Sequence, residues 1–319
     1  MTVITPVRAR LVDGRLQVYD LADPAVTGRL SPAAEFDLGG ADGRIEGWAV
    51  TRDLRRLVYA TTDDVRCVDP DGRPLWRLDF GPRPEQRIVN ARVSCTFSAD
   101  ERLLWVYRPD AMAMRDKLDR WLVLDAATGA LRAEAELLSV GHGGEHFVEP
   151  DGEHMLLDVG EGQDGSRVFR GRLTETGIEL RDDLWDDDRT VIGFAPDGRQ
   201  VMTVHHEQED AAFHTWPDGA VTARVPLAAF GHEWGDAVVE WAGGYLDGDT
   251  AVVAVAGEDE ETEEEWYRHH LVDVHTGQLR GAFPAAQTRH AYDLEPLGDG
   301  TWLRTDDDGR LWRHRYDGA

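Results

Sequence analysis

The chain has 319 residues, of which 61 are acidic and 34 basic, so its formal net charge is -27 at pH 7. This charge repels phosphate backbones and anionic headgroups, which excludes nucleic acid and membrane surfaces as expected partners. A cationic partner, a neutral small molecule or a bound cation suits the charge, although acidity also serves plain solubility. The first residues lack a secretory pattern and no segment has the length of a spanning helix, so the expected location is cytoplasmic.

An aspartate-centred turn followed by a short apolar run recurs about every fifty residues. Successive aspartates are 47, 51, 46, 50 and 52 residues apart, at Asp53, Asp100, Asp151, Asp197, Asp247 and Asp299. Self-similarity with a period of this size indicates a repeat array, and the near-complete coverage of the chain predicts one domain over 1–319.

Each repeat is predicted to contain four short strands, a to d, because its segments alternate apolar and polar residues between Gly, Asp and Pro. In chain order, residues 3–38 supply about three strands, 44–80 the next repeat, and 90–137 a repeat with strands at 92–97, 102–107, 121–125 and 130–137. Further repeats follow at 144–184 and 190–228, then one with strand b at 250–255, and finally about three strands in 290–316. The leftover strands at the two ends predict a seventh unit that both ends share, with six units as the alternative.

Two recurring features suggest a family. Strand c ends in Asp125-Ala-Ala-Thr-Gly129 and Asp273-Val-His-Thr-Gly277, and Gly141-His142 and Gly231-His232 occur in loops that lead into strand a. In these features the chain resembles the WD-repeat and related β-propeller families. The resemblance implies an all-β propeller with four-stranded antiparallel blades around a channel, closed by a sheet that the N- and C-terminal strands share.

In such a propeller the d-to-a and b-to-c loops lie on one face, here called the loop face. These loops vary most in this chain, and variable loops on a rigid scaffold are where binding sites are usually built. Polar residues of the d-to-a loops are therefore the candidate ligand-binding residues at the channel mouth: Arg44, Glu46, Arg87, Asn90, His142, Glu145, His146, Asp187, Arg189, His232, Glu233, Trp234, Asp236, Arg289 and His290.

Two functions fit these residues. The first is a binding or scaffold protein that recognises a protein or peptide, of basic character given the charge, through the loop face. The alternative is a small-molecule lyase or hydrolase with a histidine or carboxylate as general base, with or without assistance from a divalent cation. No cofactor and no metal ligand is predicted, and in WD-repeat-like blades a loop histidine such as His142 or His232 commonly has an architectural role instead.

Overall fold

The computed structural model describes residues 7–38, 43–84, 91–185, 188–259, 261–283 and 288–316. Within these ranges the chain forms 27 β-strands, numbered here in chain order, and three short 3₁₀ helices at Gly162–Asp164, Leu227–Phe230 and Ala291–Asp293. None of the described helices has the length and apolar character needed to cross a bilayer. The chain divides into two compact units, an N-terminal unit of Pro6–Ala22 and Pro32–Leu184, and a C-terminal unit of Met1–Thr5, Asp23–Ser31 and Trp185–Ala319.

The N-terminal unit contains four antiparallel sheets. Its first sheet has three strands in the described residues, and the next three sheets have four strands each. In sheet order the strands are β1 (Val7–Val12), β2 (Arg15–Asp20) and β4 (Ala34–Asp37); β5 (Ile45–Val50), β6 (Leu57–Thr61), β7 (Asp64–Val68) and β8 (Pro74–Asp79); β9 (Ser94–Phe97), β10 (Leu103–Arg108), β11 (Asp119–Asp125) and β12 (Leu131–Leu137); and β13 (Gly143–Val148), β14 (His154–Gly160), β15 (Ser166–Thr174) and β16 (Gly177–Arg181).

The C-terminal unit contains three four-stranded antiparallel sheets. Their strands are β17 (Arg189–Phe194), β18 (Gln200–His205), β19 (Asp210–Thr215) and β20 (Val221–Pro226); β21 (Ala237–Tyr245), β22 (Thr250–Glu258), β23 (Glu265–Asp273) and β24 (Leu279–Ala282); and β25 (Leu294–Pro296), β26 (Thr301–Thr305), β27 (Leu311–Arg315) and β3 (Gly28–Arg29). The last sheet is thus completed by β3, which comes from near the start of the chain and pairs with β27.

The fold is a seven-bladed β-propeller. This confirms the predicted all-β class, the seven blades and the sheet shared by both ends of the chain, and it excludes the six-bladed alternative. The repeat predicted at 90–137 is observed with its four strands shifted by no more than a few residues.

The repeated aspartate turns share one local hydrogen bond. In all six turns the aspartate Oδ1 accepts from the backbone N–H two residues later, at 2.8 to 3.1 Å. A short carboxylate side chain can close such a turn on its own backbone, which is why Asp recurs there. The strand that follows each turn enters the core: Leu104 and Val106 of β10, for example, are buried in one apolar cluster.

Candidate functional site

A cleft of about 430 Å³ opens in the C-terminal unit where several loops of the loop face meet. We call it the acidic cleft. Its side chains divide into five carboxylates (Glu207, Asp236, Glu240, Glu258 and Glu265), two aromatic rings (Trp234 and Tyr267) and a small apolar floor (Val238 and Ala256). Ala237 also borders the cleft, but its side chain is buried in the core cluster that contains Val239 and Val255. None of the described residues that line it is a lysine, arginine or histidine.

Strand register brings part of this lining together. Val238 of β21 pairs with Ala256 of β22, and Ala256 pairs with Tyr267 of β23. Because side chains alternate along a strand, residues two positions away share this face of the sheet. Glu240, Glu258 and Glu265 are related in this way to the three paired residues, so the three strands present a row of carboxylates beside one aromatic ring.

The opposite face of the same sheet holds the d-to-a loop in place. The ring of His232 lies against Trp266 with centroids 5.1 Å apart, and the Arg268 guanidinium carbon lies 4.4 Å from the Trp266 centroid. Trp266 in turn packs over Gly257, where an added Cβ would lie 2.4 Å from the indole and 2.9 Å from the Asp236 carbonyl oxygen. This stack fixes the loop that carries Trp234, a residue that is left 69% exposed.

The carboxylates of the acidic cleft have no arginine or lysine partner within ion-pair distance among the described residues. Among the described residues none of the five forms an ion pair within 4.0 Å. By contrast, Asp210 is held by Arg189 at 2.5 Å and Asp273 by Arg280 at 2.6 Å. Burial raises the pKa of Glu240, the half-buried carboxylate beside the floor. The cleft therefore concentrates negative charge that no arginine or lysine among the described residues pairs with.

Tyr267 is oriented by its neighbours on both sides. Its hydroxyl donates to Glu265 Oε2 at 2.8 Å, which raises the pKa of Tyr267 to about 12. The His290 ring stacks on it at a centroid distance of 5.6 Å. His290 also begins the short helix Ala291–Asp293, where Asp293 accepts from the His290 N–H at 3.0 Å. The ring of Tyr267 is thereby fixed at the edge of the cleft.

Several sequence-predicted residues belong to this site. Trp234 and Asp236 line the acidic cleft, His232 and Glu233 lie in the same loop, and His290 contacts Tyr267. Arg289 is turned to Asp307, with Nε 2.9 Å from its Oδ1. His232 and His290 stack on Trp266 and Tyr267, which are consecutive on β23 and so point to opposite faces of the sheet. Within this unit the two histidines do not converge.

Arg189 has a structural environment. It is buried, its Nε donates to Thr203 Oγ1 at 2.6 Å, and it pairs with Asp210. Three further predicted residues, Arg87, Asn90 and Asp187, lie outside the described residues.

In the N-terminal unit the predicted histidines occupy separate environments. His146 Nε2 accepts from the Trp121 indole N–H at 3.1 Å, and its Nδ1 lies 3.2 Å from Ser94 Oγ. Burial lowers the pKa of His146 to about 3, so the ring is neutral and acts as a connector between strands. The His142 backbone N–H donates to the Gly160 carbonyl, and Glu145 is exposed on β13. Arg44 and Glu46 line a second cleft, in the same unit.

One cluster in the described residues has the composition of a metal site, formed by Glu149, Asp151 and His154. Its geometry is explained by other contacts. Arg170 binds Glu149 through two hydrogen bonds of 2.7 and 2.9 Å, and His154 Nδ1 lies 2.6 Å from Asp151 Oδ2. Because the arginine already neutralises the buried carboxylate, we interpret the cluster as an ion-pair network.

The residues that sequence reasoning missed are Glu207, Glu240, Glu258, Glu265 and Tyr267. The last four lie on strands β21, β22 and β23. Residues 250–256 of β22 are buried without apolar and polar alternation, so only the observed strand register places these four residues on one face.

The chain matches no protein-family model, and no curated protein is similar to it in sequence. Solved structures with the same fold include the β-propeller domain of Cps50 (Swd1) from Myceliophteria thermophila, at 12% identity and a TM-score of 0.60, covering 98% of this chain and 97% of that one. Kuenenia stuttgartiensis hydrazine synthase aligns at 13% identity and a TM-score of 0.57, over 95% and 89% of the two chains. KlAtg21, solved in complex with the coiled coil of AgAtg16, aligns at 13% identity and a TM-score of 0.51, over 88% and 82%. At these identities the likeness establishes the fold alone.

Proposed function

We propose that this propeller is a binding protein whose acidic cleft takes a lysine- or arginine-rich segment of a partner protein. The observation that carries the proposal is the set of five carboxylates without ion-pair partners among the described residues, next to a largely exposed tryptophan. Elsewhere the chain uses its arginines to neutralise many acidic side chains, as Asp64 shows with Arg66 at 2.8 Å and Arg77 at 2.7 Å.

The lining selects for a cationic side chain with an aliphatic stem. Ionised carboxylates only accept hydrogen bonds, so a ligand in the acidic cleft must donate them. The floor of Val238 and Ala256 provides apolar surface for methylene groups, and Trp234 offers an exposed ring face to a cation. Lysine and arginine side chains combine these properties. The acidic segment between β22 and β23, rich in glutamate, adds negative potential beside the cleft and would steer such a segment towards it.

The structural neighbours allow more than one function, since one of them is named as an enzyme and another was solved with a coiled-coil partner. The argument for binding therefore comes from the site and not from the fold.

The experiment measures the affinity of the full chain for a fluorescein-labelled nine-residue oligolysine peptide by fluorescence anisotropy. Trp234→Ala should weaken binding roughly two- to fivefold by removing a cation–π contact at an exposed position. Glu240→Gln should weaken it by about fivefold or more, since a half-buried charged acceptor is lost. Glu175→Gln, at an exposed carboxylate without an ion-pair partner in the described N-terminal unit, should change affinity by less than about twofold.

The comparison between the variants decides the outcome. A chain with a net charge of -27 attracts any basic peptide, so binding of the wild type alone is not sufficient. Equal losses for Glu175→Gln and Glu240→Gln, with no effect of Trp234→Ala, would mean that the peptide is held by diffuse charge and would contradict the proposal.

A further inference from the structure

A second cleft, in the N-terminal unit, has the opposite chemical character. It has a volume of about 540 Å³, within the range of small-molecule sites. Its walls include Leu38, Ile45 and Trp48, and its polar side chains are Arg44, Glu46 and Arg92. We call it the arginine cleft.

The two arginines come together because the first strands of neighbouring sheets pack directly on each other. Arg44 precedes β5 and Arg92 lies two residues before β9. A Cβ at Gly47 of β5 would lie 2.6 Å from the Val93 carbonyl oxygen, so only glycine permits this approach. The chain enters β5 through Gly43, whose φ of +99° is a conformation that side-chain-bearing residues rarely adopt.

The charges in the arginine cleft do not cancel. The Arg44 side chain is 81% exposed and its Nε lies 3.6 Å from Glu46, whose side chain is only 8% exposed. Arg92 is exposed, and its guanidinium has no ion-pair partner among the described residues. With two guanidinium groups and one carboxylate among its described lining residues, the cleft has a formal charge of about +1 in a strongly acidic protein.

We propose that the arginine cleft binds a small organic molecule with one carboxylate head and an apolar body. A guanidinium group presents a planar fork of donors that matches a carboxylate, and Arg92 is available for it. Glu46 holds Arg44 beside this position and neutralises one of the two cations, which favours a singly charged anion over a phosphate. Leu38, Ile45 and Trp48 provide the surface that an apolar body would cover.

The test uses octanoate as the probe, titrated into the full-length protein in an isothermal titration calorimeter. Octanol and octylammonium have the same chain length without the anion and serve as ligand controls. Octanoate should bind with one site per chain, and Arg92→Gln should weaken it about tenfold or more, because a charged hydrogen-bond donor is lost. Arg73→Gln removes another exposed arginine of the same unit, paired with Asp71 at 3.4 Å, and should leave octanoate affinity unchanged.

Both arginines are exposed, so the variants should keep the circular dichroism spectrum and melting temperature of the wild type. Octanol binding as tightly as octanoate would overturn the proposal by showing an apolar site only. Equal affinity of octanoate for the wild type and Arg92→Gln would overturn it as well, and so would the absence of any octanoate binding. This site does not depend on the acidic cleft, so failure of either proposal leaves the other standing.

Discussion

Replacing Gly257 by alanine tests how the loop that carries Trp234 is held. An added Cβ would lie 2.4 Å from Cζ2 and 2.7 Å from Cε2 of Trp266, and 2.9 Å from the Asp236 carbonyl oxygen. These separations are well inside van der Waals contact, so either the indole or the first strand of the sheet must move. The indole is itself packed against His232 and Arg268, and its displacement would release the loop.

The size of the effect follows from the cost of overpacking, which is about 1 to 3 kcal/mol in unfolding free energy. A chain of 319 residues has an unfolding entropy of about 0.7 kcal/mol per kelvin. Gly257→Ala should therefore lower the melting temperature by about 1.5 to 4.5 °C, measured by circular dichroism. It should also weaken oligolysine binding, because Trp234 and Asp236 lose their fixed positions.

Gly248→Ala is the matched control. A Cβ at Gly248, in the turn between β21 and β22, meets no atom within 4 Å, and its backbone is not in the left-handed region. This variant should change stability by less than about 0.5 kcal/mol. If the two variants melt at the same temperature and bind the peptide alike, the stack of Trp266 on Gly257 does not hold the loop and the reasoning is refuted.

Two further predictions concern buried polar groups of the N-terminal unit. Asp119 accepts from the Tyr107 hydroxyl at 2.8 Å, the Ser139 hydroxyl at 3.0 Å and the Gly141 N–H at 2.7 Å. Asp119→Ala should lower the free energy of unfolding, measured in urea, by about 3 kcal/mol or more. A loss no larger than that of the exposed Asp116→Ala would contradict a structural role for these hydrogen bonds. Burial lowers the pKa of His146 to about 3, whereas an unfolded histidine titrates near 6.5, so between these values the unfolded chain binds a proton that the folded chain excludes. The free energy of unfolding should therefore fall as the pH decreases from about 6.5 towards 3. His146→Gln should reduce the slope of unfolding free energy against pH by up to about 1.4 kcal/mol per pH unit, measured by denaturation at several pH values. An unchanged slope would show that His146 is already protonated in the folded protein.

The fold could be predicted largely because its signals are local. Each aspartate turn closes on its own backbone, so its position is visible in the sequence without knowledge of tertiary contacts. The sheet shared by the chain ends was predicted from leftover strands. The identity of its N-terminal strand was not, because β3 has only two residues, Gly28 and Arg29, and no alternation to detect. β1 and β2 form a local hairpin, but that β4 and not β3 pairs with β2 depends on contacts across a longer stretch of sequence.

The candidate site was predicted in part. Trp234 and Asp236 were identified by their position in a d-to-a loop, because loop residues can be nominated without knowing how the strands pair. Glu240 and Tyr267 belong to strands, and only the pairing of Val238 with Ala256 and of Ala256 with Tyr267 brings them to the same face. Whether an acidic residue has an arginine partner is also set by tertiary structure. The five unpaired carboxylates could therefore not be separated in the sequence from the paired ones.

The most direct test of the central claim asks where a basic peptide lies on the protein. The oligolysine probe is cross-linked to the protein with a carbodiimide, which joins amines to carboxylates, and the products are mapped by mass spectrometry. The chain contains a single lysine, Lys117, so few cross-links form within the protein itself. Cross-links concentrated at Glu207, Asp236, Glu258 and Glu265, and lost at high salt or in Trp234→Ala, are the predicted result. Cross-links spread evenly over exposed acidic turns, such as Asp69 to Asp71, would contradict it.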